Sequence, residues 1–437
     1  MNHAPHVGLT HFRYLSPNTF SGYSRRDMSR STLLSLSGSV LIFIAAVLIY
    51  RVHFTPDSSL LHLGFETTAV AESIATHGTF ADPFREPTGP TALLPPGYPA
   101  FIAVLMKLFG TGARGLFALQ LSVTLFIAVQ LSLWPWITRR MQMGYGAGFI
   151  AAAVWLASNM KRDDVWESHL VALLTVVLAL VMYLVADKSS SLATTLSAAL
   201  LWGVVLLFFP VTLLVLLGWA MWLLLSHRVP RRRVLLIVGV AAICLVPWTI
   251  RNFRVFHRVF YLRDGLGLEL DLGNNDCAAF AFDINLASGC FSQLHPNDSP
   301  QHAALVRQLG EIEYFHRHMI RAQWWIANHP GKFASLTAQR ALAFWLPEAM
   351  RYPWRLPYRD WIITLMNLLS VAGIARLWKQ SHSTAMVFLL WMVLFPIIYY
   401  LVPYTERYRA PVLWMTFLPA GCVIASFLKL SPPKRAC

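Results

Sequence analysis

The sequence predicts an all-α, polytopic transmembrane helical bundle with about ten spans. Amphipathic juxtamembrane helices are expected in its first outside loop, and its large second outside loop is expected to be mostly helical. Three observations predict this class. Of 437 residues, 56% are hydrophobic and 13% charged, with a mean hydropathy of +0.51; a soluble chain of this length needs more charge to cover its surface. The apolar residues arrive in recurring blocks of roughly 16 to 24, the length that crosses a hydrocarbon core of about 30 Å. Lys and Arg cluster beside those blocks, as the positive-inside rule expects. That clustering also accounts for the net charge of +15. No basic, aromatic-interleaved soluble module is visible, so the charge does not argue for nucleic acid as a partner.

The elements follow in order. Residues 1–31 form a polar tail, and Arg25, Arg26 and Arg30 place it in the cytoplasm. The first apolar block, 32–50, is too long for a signal-peptide core and lacks a clear small-residue cleavage pattern, so it reads as an uncleaved span. A largely polar outside loop occupies 51–96. The apolar stretch Gly97–Phe109 is too short to cross and is expected to be a juxtamembrane or re-entrant helix. The block 114–137 is long enough and ends at Arg139–Arg140, which then lie inside.

Further spans are expected near 144–160, 169–186, 192–209, 211–226 and 234–250, completing a membrane module over 32–250. Their inside joins carry Lys188 and the run His227–Arg233, and Pro210 marks a tight outside turn. A mostly polar outside loop fills 251–358. A C-terminal unit, 359–437, holds spans near 359–377, 384–402 and 411–430 and a tail with Lys434 and Arg435. Both termini then lie in the cytoplasm, where Asp27 and Asp187 are the acids among the assigned inside segments. No internal repeat stands out.

Cys244 and Cys422 fall inside apolar blocks and Cys437 is the last residue, whereas Cys277 and Cys290 share the large outside loop. A disulfide is permitted there, and spacing alone does not decide it. None of the five cysteines has zinc-site spacing.

Apart from the cytoplasmic basic residues, the polar side chains gather at the outside ends of the spans and in the two outside loops. Chemistry is therefore expected at the outer interface. In the first loop, Val70 and Ile74 recur at helical spacing with Glu66 one turn earlier. Glu66 is either an acid favouring a helix N-terminus or a functional carboxylate. Asp163, Asp164 and Glu167 cluster beside Lys161, Arg162 and His169. This cluster could orient an acceptor or help hold a divalent cation; otherwise it is a solvated turn between spans, with His169 opening the second. Its spacings define no metal site.

Arg251 and Arg254 open the large loop, and Arg407 and Arg409 occupy the last outside turn. Each is an interfacial arginine that snorkels to headgroups or a partner for an anion. The large loop also holds Leu294-His295-Pro296. Its second half places Leu305, Leu309, Ile312 and Phe315 at helical spacing, with Trp324 and Trp325 beyond, which suits an amphipathic lid on the membrane surface.

Several segments together resemble a known family. The first loop has the form Glu-x-x-x-x-Ala-Glu-x-Ile-Ala from Glu66 to Ala75, then Gly78-Thr79-Phe80, Thr88-Gly89-Pro90-Thr91-Ala92 and Pro95-Pro96-Gly97-Tyr98-Pro99. Later come Pro247-Trp248-Thr249-Ile250-Arg251-Asn252, the stretch from Gly265 through Glu269 to Asn275, and Tyr404-Thr405-Glu406-Arg407-Tyr408-Arg409-Ala410-Pro411. The chain resembles the GT-C superfamily of membrane glycosyltransferases, and within it the protein O-mannosyltransferase-like and lipid A aminoarabinose transferase-like enzymes of bacteria.

The resemblance implies sugar transfer on the outer face of a membrane, with a polyprenyl-phosphate sugar as donor and a lipid, glycan or protein as acceptor. It implies Glu66 as catalytic base, and Thr67 stands where many relatives carry a second acid. A sugar phosphate already has a good leaving group, so the acceptor hydroxyl is what needs a base. The departing phosphate needs positive charge, for which Arg251, Arg407 and Arg409 are the candidates, with Asp164, Glu167 and His169 supporting the acceptor. Attack by one hydroxyl with one base inverts the anomeric carbon. A bacterial inner membrane is the location implied. The alternative, a transporter or flippase of lipid-linked sugars, expects charged residues deep within the spans, which here are nearly free of them.

Overall fold

The computed structural model describes residues 25–430 except 64–65, 159, 187–189 and 347–357, and only the backbone of 25–35 and His62. The expected tails at 1–24 and 431–437, with Lys434, Arg435 and Cys437, and the join residues Asp187 and Lys188 lie outside the described residues. Among those described the chain is helical throughout and forms no strand, only isolated β-bridges.

Among the described residues five helices are long and apolar enough to cross a bilayer: Ala113–Arg140, Ser168–Val185, Arg231–Phe256, Tyr358–Gln380 and His382–Tyr400. A sixth crossing arises if Glu406–Val412 and Trp414–Phe427, bent by 56°, act as one broken span. Of the other four expected spans, the first lies in the helix Arg25–Ile49, of 25 residues, and the remaining three are the shorter apolar helices Tyr145–Ala157, Leu192–Phe208 and Pro210–Leu225. At about 1.5 Å per residue these three fall short of the full hydrocarbon thickness. Local sequence shortens them: Gly144 adopts φ 86 before Tyr145, and Pro210 breaks the long apolar run that begins at Leu192. The helix Gly97–Phe109, 13 residues long, matches the expected short element.

One expected boundary is wrong. The helix that enters at Arg231 does not stop at 250 but continues to Phe256, where His257 caps it in the left-handed region with φ 54. Ile250, Phe253, Val255 and Phe256 keep it apolar through this last stretch. Arg251 and Arg254 are therefore helical residues and not the start of a loop.

Small residues bring the helices together. A Cβ on Gly148 would collide with the backbone at Trp134, and one on Gly421 with the carbonyl of Ala147. The helix Tyr145–Ala157 thus lies tightly between Ala113–Arg140 and Trp414–Phe427.

The two ends of the bundle differ in charge. At one end the joins are tied to each other, with Arg228 donating to Ser383 Oγ at 2.6 Å, Arg233 to the Ser190 carbonyl at 2.6 Å and Thr384 to the Met141 carbonyl at 2.8 Å. The described joins there carry Arg139, Arg140, Arg231, Arg232, Lys379 and Lys429 and hold no Asp or Glu.

The opposite end is a layer built from the two long loops. Val70, Phe84, Leu93, Leu94, Leu268 and Phe315 contribute to a separate apolar core there. Arg251 donates to the Thr91 carbonyl at 2.8 Å and the Phe80 carbonyl at 2.7 Å, and Glu311 accepts the Ala92 N–H at 2.5 Å. Helices Leu266–Gly273, Pro300–Leu309, Glu311–Asn328 and Pro330–Trp345 form the second loop. The helical spacing expected across 305–315 is interrupted, because Gly310 at φ 80 separates two helices. Cys277 and Cys290 are joined by a disulfide. Beside it, Phe282 N–H donates to the Tyr404 carbonyl at 2.9 Å and Tyr404 N–H to that of Phe280 at 2.8 Å. The second loop is thereby stitched to the turn that carries Arg407.

Candidate active site

Glu66 is the first residue of the helix Glu66–His77, whose buried face includes Thr67, Val70 and Ala71. Thr67 Oγ1 donates to the Val165 carbonyl at 3.1 Å and is 1% exposed. Thr67 therefore fixes the Glu66 helix against the turn that precedes Ser168 and supplies no second carboxylate.

That turn is shaped by its own acids. Asp163 Oδ1 accepts the N–H groups of Val165 at 3.2 Å and Trp166 at 3.3 Å, and its Oδ2 accepts from Ser168 Oγ at 3.1 Å. His169 Nε2 accepts the Asp163 N–H at 3.1 Å. Arg162 grips Asp164 at both oxygens, at 2.5 and 3.0 Å. Asp163, Asp164 and His169 hold the turn in shape, and the turn aims Glu167 and Trp166 toward Arg407.

Arg407 lies in the short helix Glu406–Arg409. Its guanidinium sits 3.7 Å from the Trp166 ring centroid and 5.1 Å from that of Tyr408. Tyr408, Glu269 and Glu167 are its electrostatic partners. Arg407 is also the cation that opposes the pKa rise at Glu66, Asp163 and Glu167 alike. Glu269, on the helix Leu266–Gly273, pairs with Arg263 at 3.5 Å. His295 completes the set, with Nε2 3.7 Å from Glu66 Oε1.

Burial pushes the Glu66 carboxyl above its ordinary range, with its own backbone N–H and Arg407 opposing and Glu269 and Asp298 reinforcing the rise. Burial likewise raises Asp163 and Glu167, again against Arg407. A carboxylate whose pKa is raised is a stronger base than an ordinary one, and the arginine among these acids is the group suited to an anionic ligand.

The three candidate arginines part company. Arg407 joins Glu66. Arg251 is committed to the Thr91 and Phe80 carbonyls and lies against Trp248 at 4.9 Å. Arg409 is 4% exposed and donates to the Phe344 carbonyl at 3.2 Å. Among the described residues no three His, Cys, Asp or Glu side chains converge to hold a metal ion, so no step is assigned to a divalent cation. The sequence reading passed over Glu269, Arg263, Trp166 and His295. Glu269 stands inside the Gly265–Asn275 stretch and is the one that the sequence brings nearest to notice.

No protein-family model matches the chain, and no curated protein sequence matches it. Solved structures do. The archaeal oligosaccharyltransferase AglB from Archaeoglobus fulgidus, in complex with an inhibitory peptide and a dolichol-phosphate, is 13% identical with a TM-score of 0.52, covering 93% of this chain and 53% of that one. The chain thus spans about half the length of that protein. ArnT from Cupriavidus metallidurans, bound to undecaprenyl phosphate, is 13% identical with a TM-score of 0.36, covering 90% and 77% of the two chains. Its apo state is 16% identical with a TM-score of 0.33. The likeness to AglB is one of fold, and the two to ArnT are too loose to add to it. The chain shares the helical membrane fold of that AglB structure.

Proposed function

We propose that this protein is a GT-C type glycosyltransferase that moves a sugar from a polyprenyl-phosphate donor to an acceptor at the outer face of a membrane. The observation that carries the reading is the shared arginine: Arg407 is the cation whose field acts on both Glu66 and Glu167. In this reading Glu66 takes the proton of the acceptor hydroxyl as that oxygen attacks the anomeric carbon. The bond from that carbon to the phosphate oxygen breaks, and Arg407 stabilises the leaving lipid phosphate. One displacement inverts the anomeric centre. Glu167 and Glu269 orient hydroxyls of the sugar or acceptor.

An apolar cleft of about 540 Å³ supports a prenyl tail. It is lined by Trp345, Ile374, Leu389, Met392, Ile397 and Tyr400. At its head Trp345 donates to Tyr400 at 2.7 Å, and the next residue, Tyr399, stacks on Tyr408 at 4.3 Å. AglB, which shares the fold, was solved with a dolichol-phosphate.

The Cys277–Cys290 disulfide supports an extracytoplasmic face for the loop layer. The basic joins, which hold no Asp or Glu among the described residues, support a cytoplasmic opposite face, and the reading is completed by a bacterial inner membrane with both termini inside. The acids Glu66, Asp163, Glu167 and Glu269 sit at one end and not at mid-depth of the spans, which favours surface chemistry over transport.

The test uses protein in nanodiscs with a panel of polyprenyl-phosphate sugars and candidate acceptors. Wild type is expected to release polyprenyl phosphate. Glu66→Gln is expected to bind donor normally and to lose on the order of 100-fold or more in turnover. Equal turnover in both proteins overturns Glu66 as base.

A further inference from the structure

His295 lies in the second loop, far along the chain from Glu66, yet its ring ends at the Glu66 carboxylate. The ring is stacked on Phe291 at 4.5 Å and meets the edge of Phe84 at 5.6 Å, and the residue is 6% exposed. Its Nδ1 accepts the backbone N–H of Asn297 at 3.2 Å. A nitrogen that accepts cannot carry the proton, so the neutral ring is protonated at Nε2. Nε2 is the atom 3.7 Å from Glu66 Oε1.

Burial and the fields of His318, Arg407 and His302 push the His295 pKa down to about 3. The imidazole therefore stays neutral through the physiological range. It has one N–H to give and no site on which to receive a proton, so a proton relay from Glu66 through this ring is excluded.

We propose that His295 is a positioning residue that donates its Nε2–H to the Glu66 carboxylate, fixing its orientation and favouring its ionised form. This rests on reading Glu66 as the base. Catalytic hydrogen bonds are often long before substrate binds and tighten in the complex, and the gap here needs only a small movement to close. A donor to the ionised form lowers a carboxyl pKa. It works against the burial that raises Glu66, alongside Arg407 from the last loop turn and against Glu269 and Asp298. The charged and titratable groups facing His295 itself are Glu66, His318, His302 and Arg407.

Two substitutions separate this role from packing. His295→Phe keeps a flat ring between Phe291 and Phe84 and removes the donor. His295→Gln places an amide N–H near the Nε2 position. The readout is the Glu66 ionisation midpoint, taken by infrared difference between each protein and its Glu66→Gln counterpart in nanodiscs. The midpoint is expected to rise by about one unit in His295→Phe and to stay near wild type in His295→Gln. Turnover of donor is expected to fall about tenfold in His295→Phe with the donor KM unchanged.

An unmoved midpoint in His295→Phe, or equal shifts in both variants, overturns the proposal. In the unsubstituted protein, nitrogen-15 spectra of labelled histidine should show His295 protonated at Nε2 alone from neutral pH down to pH about 4; a proton on Nδ1 overturns it as well. Neither readout depends on turnover. A wild type that releases no lipid phosphate sinks the transferase reading, while the Glu66–His295 contact is judged on its own result.

Discussion

The guanidinium of Arg407 rests over the indole of Trp166, 3.7 Å from the ring centroid. The indole face, a hydrogen bond with the Tyr408 side chain and the fields of Glu269 and Glu167 together hold its planar fork. The cation–π contact is worth about 2 kcal/mol when desolvated. Trp166→Ala is expected to raise the donor KM by roughly tenfold with a smaller effect on kcat. Trp166→Phe should recover part of the loss. Arg407→Lys is expected to lose most turnover, because a point charge does not replace a bidentate fork. A donor KM unchanged in Trp166→Ala would remove Arg407 from the phosphate role.

Much of this arrangement was legible in the sequence, and the limit falls at identifiable places. The helix that Glu66 opens was readable through Val70 and Ile74, and the resemblance of its loop to a known family is what singles out Glu66 there. The short helix Gly97–Phe109 was readable from its length alone. The choice among arginines was not, since Arg251, Arg407 and Arg409 have the same topological standing. What separates them is which carbonyls lie nearby: Thr91 and Phe80 for Arg251, Phe344 for Arg409. Those are long-range contacts that no local pattern encodes. The cluster from Asp163 to His169 was visible as a cluster, but its division of labour depends on the hydrogen bonds of Asp163 to Val165 and Trp166. His295 offered only a Leu-His-Pro tripeptide. Its meaning comes from the fold of the second loop over the first.

Glu311 gives a pH dependence that does not involve turnover. Its carboxyl is buried against the first loop, and burial lifts its pKa to about 7, opposed by the Ala92 N–H and Thr91 and reinforced by Asp264. A raised acid binds its proton more tightly when folded. Its stabilising share is therefore complete below the unfolded value near 4.5 and is lost as pH rises through about 7. The difference amounts to about 3 kcal/mol across that window. Thermal unfolding between pH 5 and 8 is expected to show a midpoint that declines with pH in wild type and declines less in Glu311→Gln. Parallel curves for the two proteins would show that Glu311 is not the group responsible.

The Cys277–Cys290 bond closes a loop with a sequence separation of 13, for which chain entropy assigns about 3 kcal/mol. Its position gives it a further consequence. The same segment continues to Ala281 and Phe282, which are hydrogen-bonded to Tyr404 at the start of the Arg407 turn. Loosening the loop should therefore reach the candidate phosphate site as well as overall stability. The Cys277→Ser, Cys290→Ser double variant is expected to unfold a few degrees lower than wild type and to bind donor more weakly, and reduction of wild type should reproduce both effects. Reduction that frees two thiols yet leaves the unfolding midpoint and donor binding unchanged would show that the hydrogen bonds to Tyr404 hold the turn without the covalent brace.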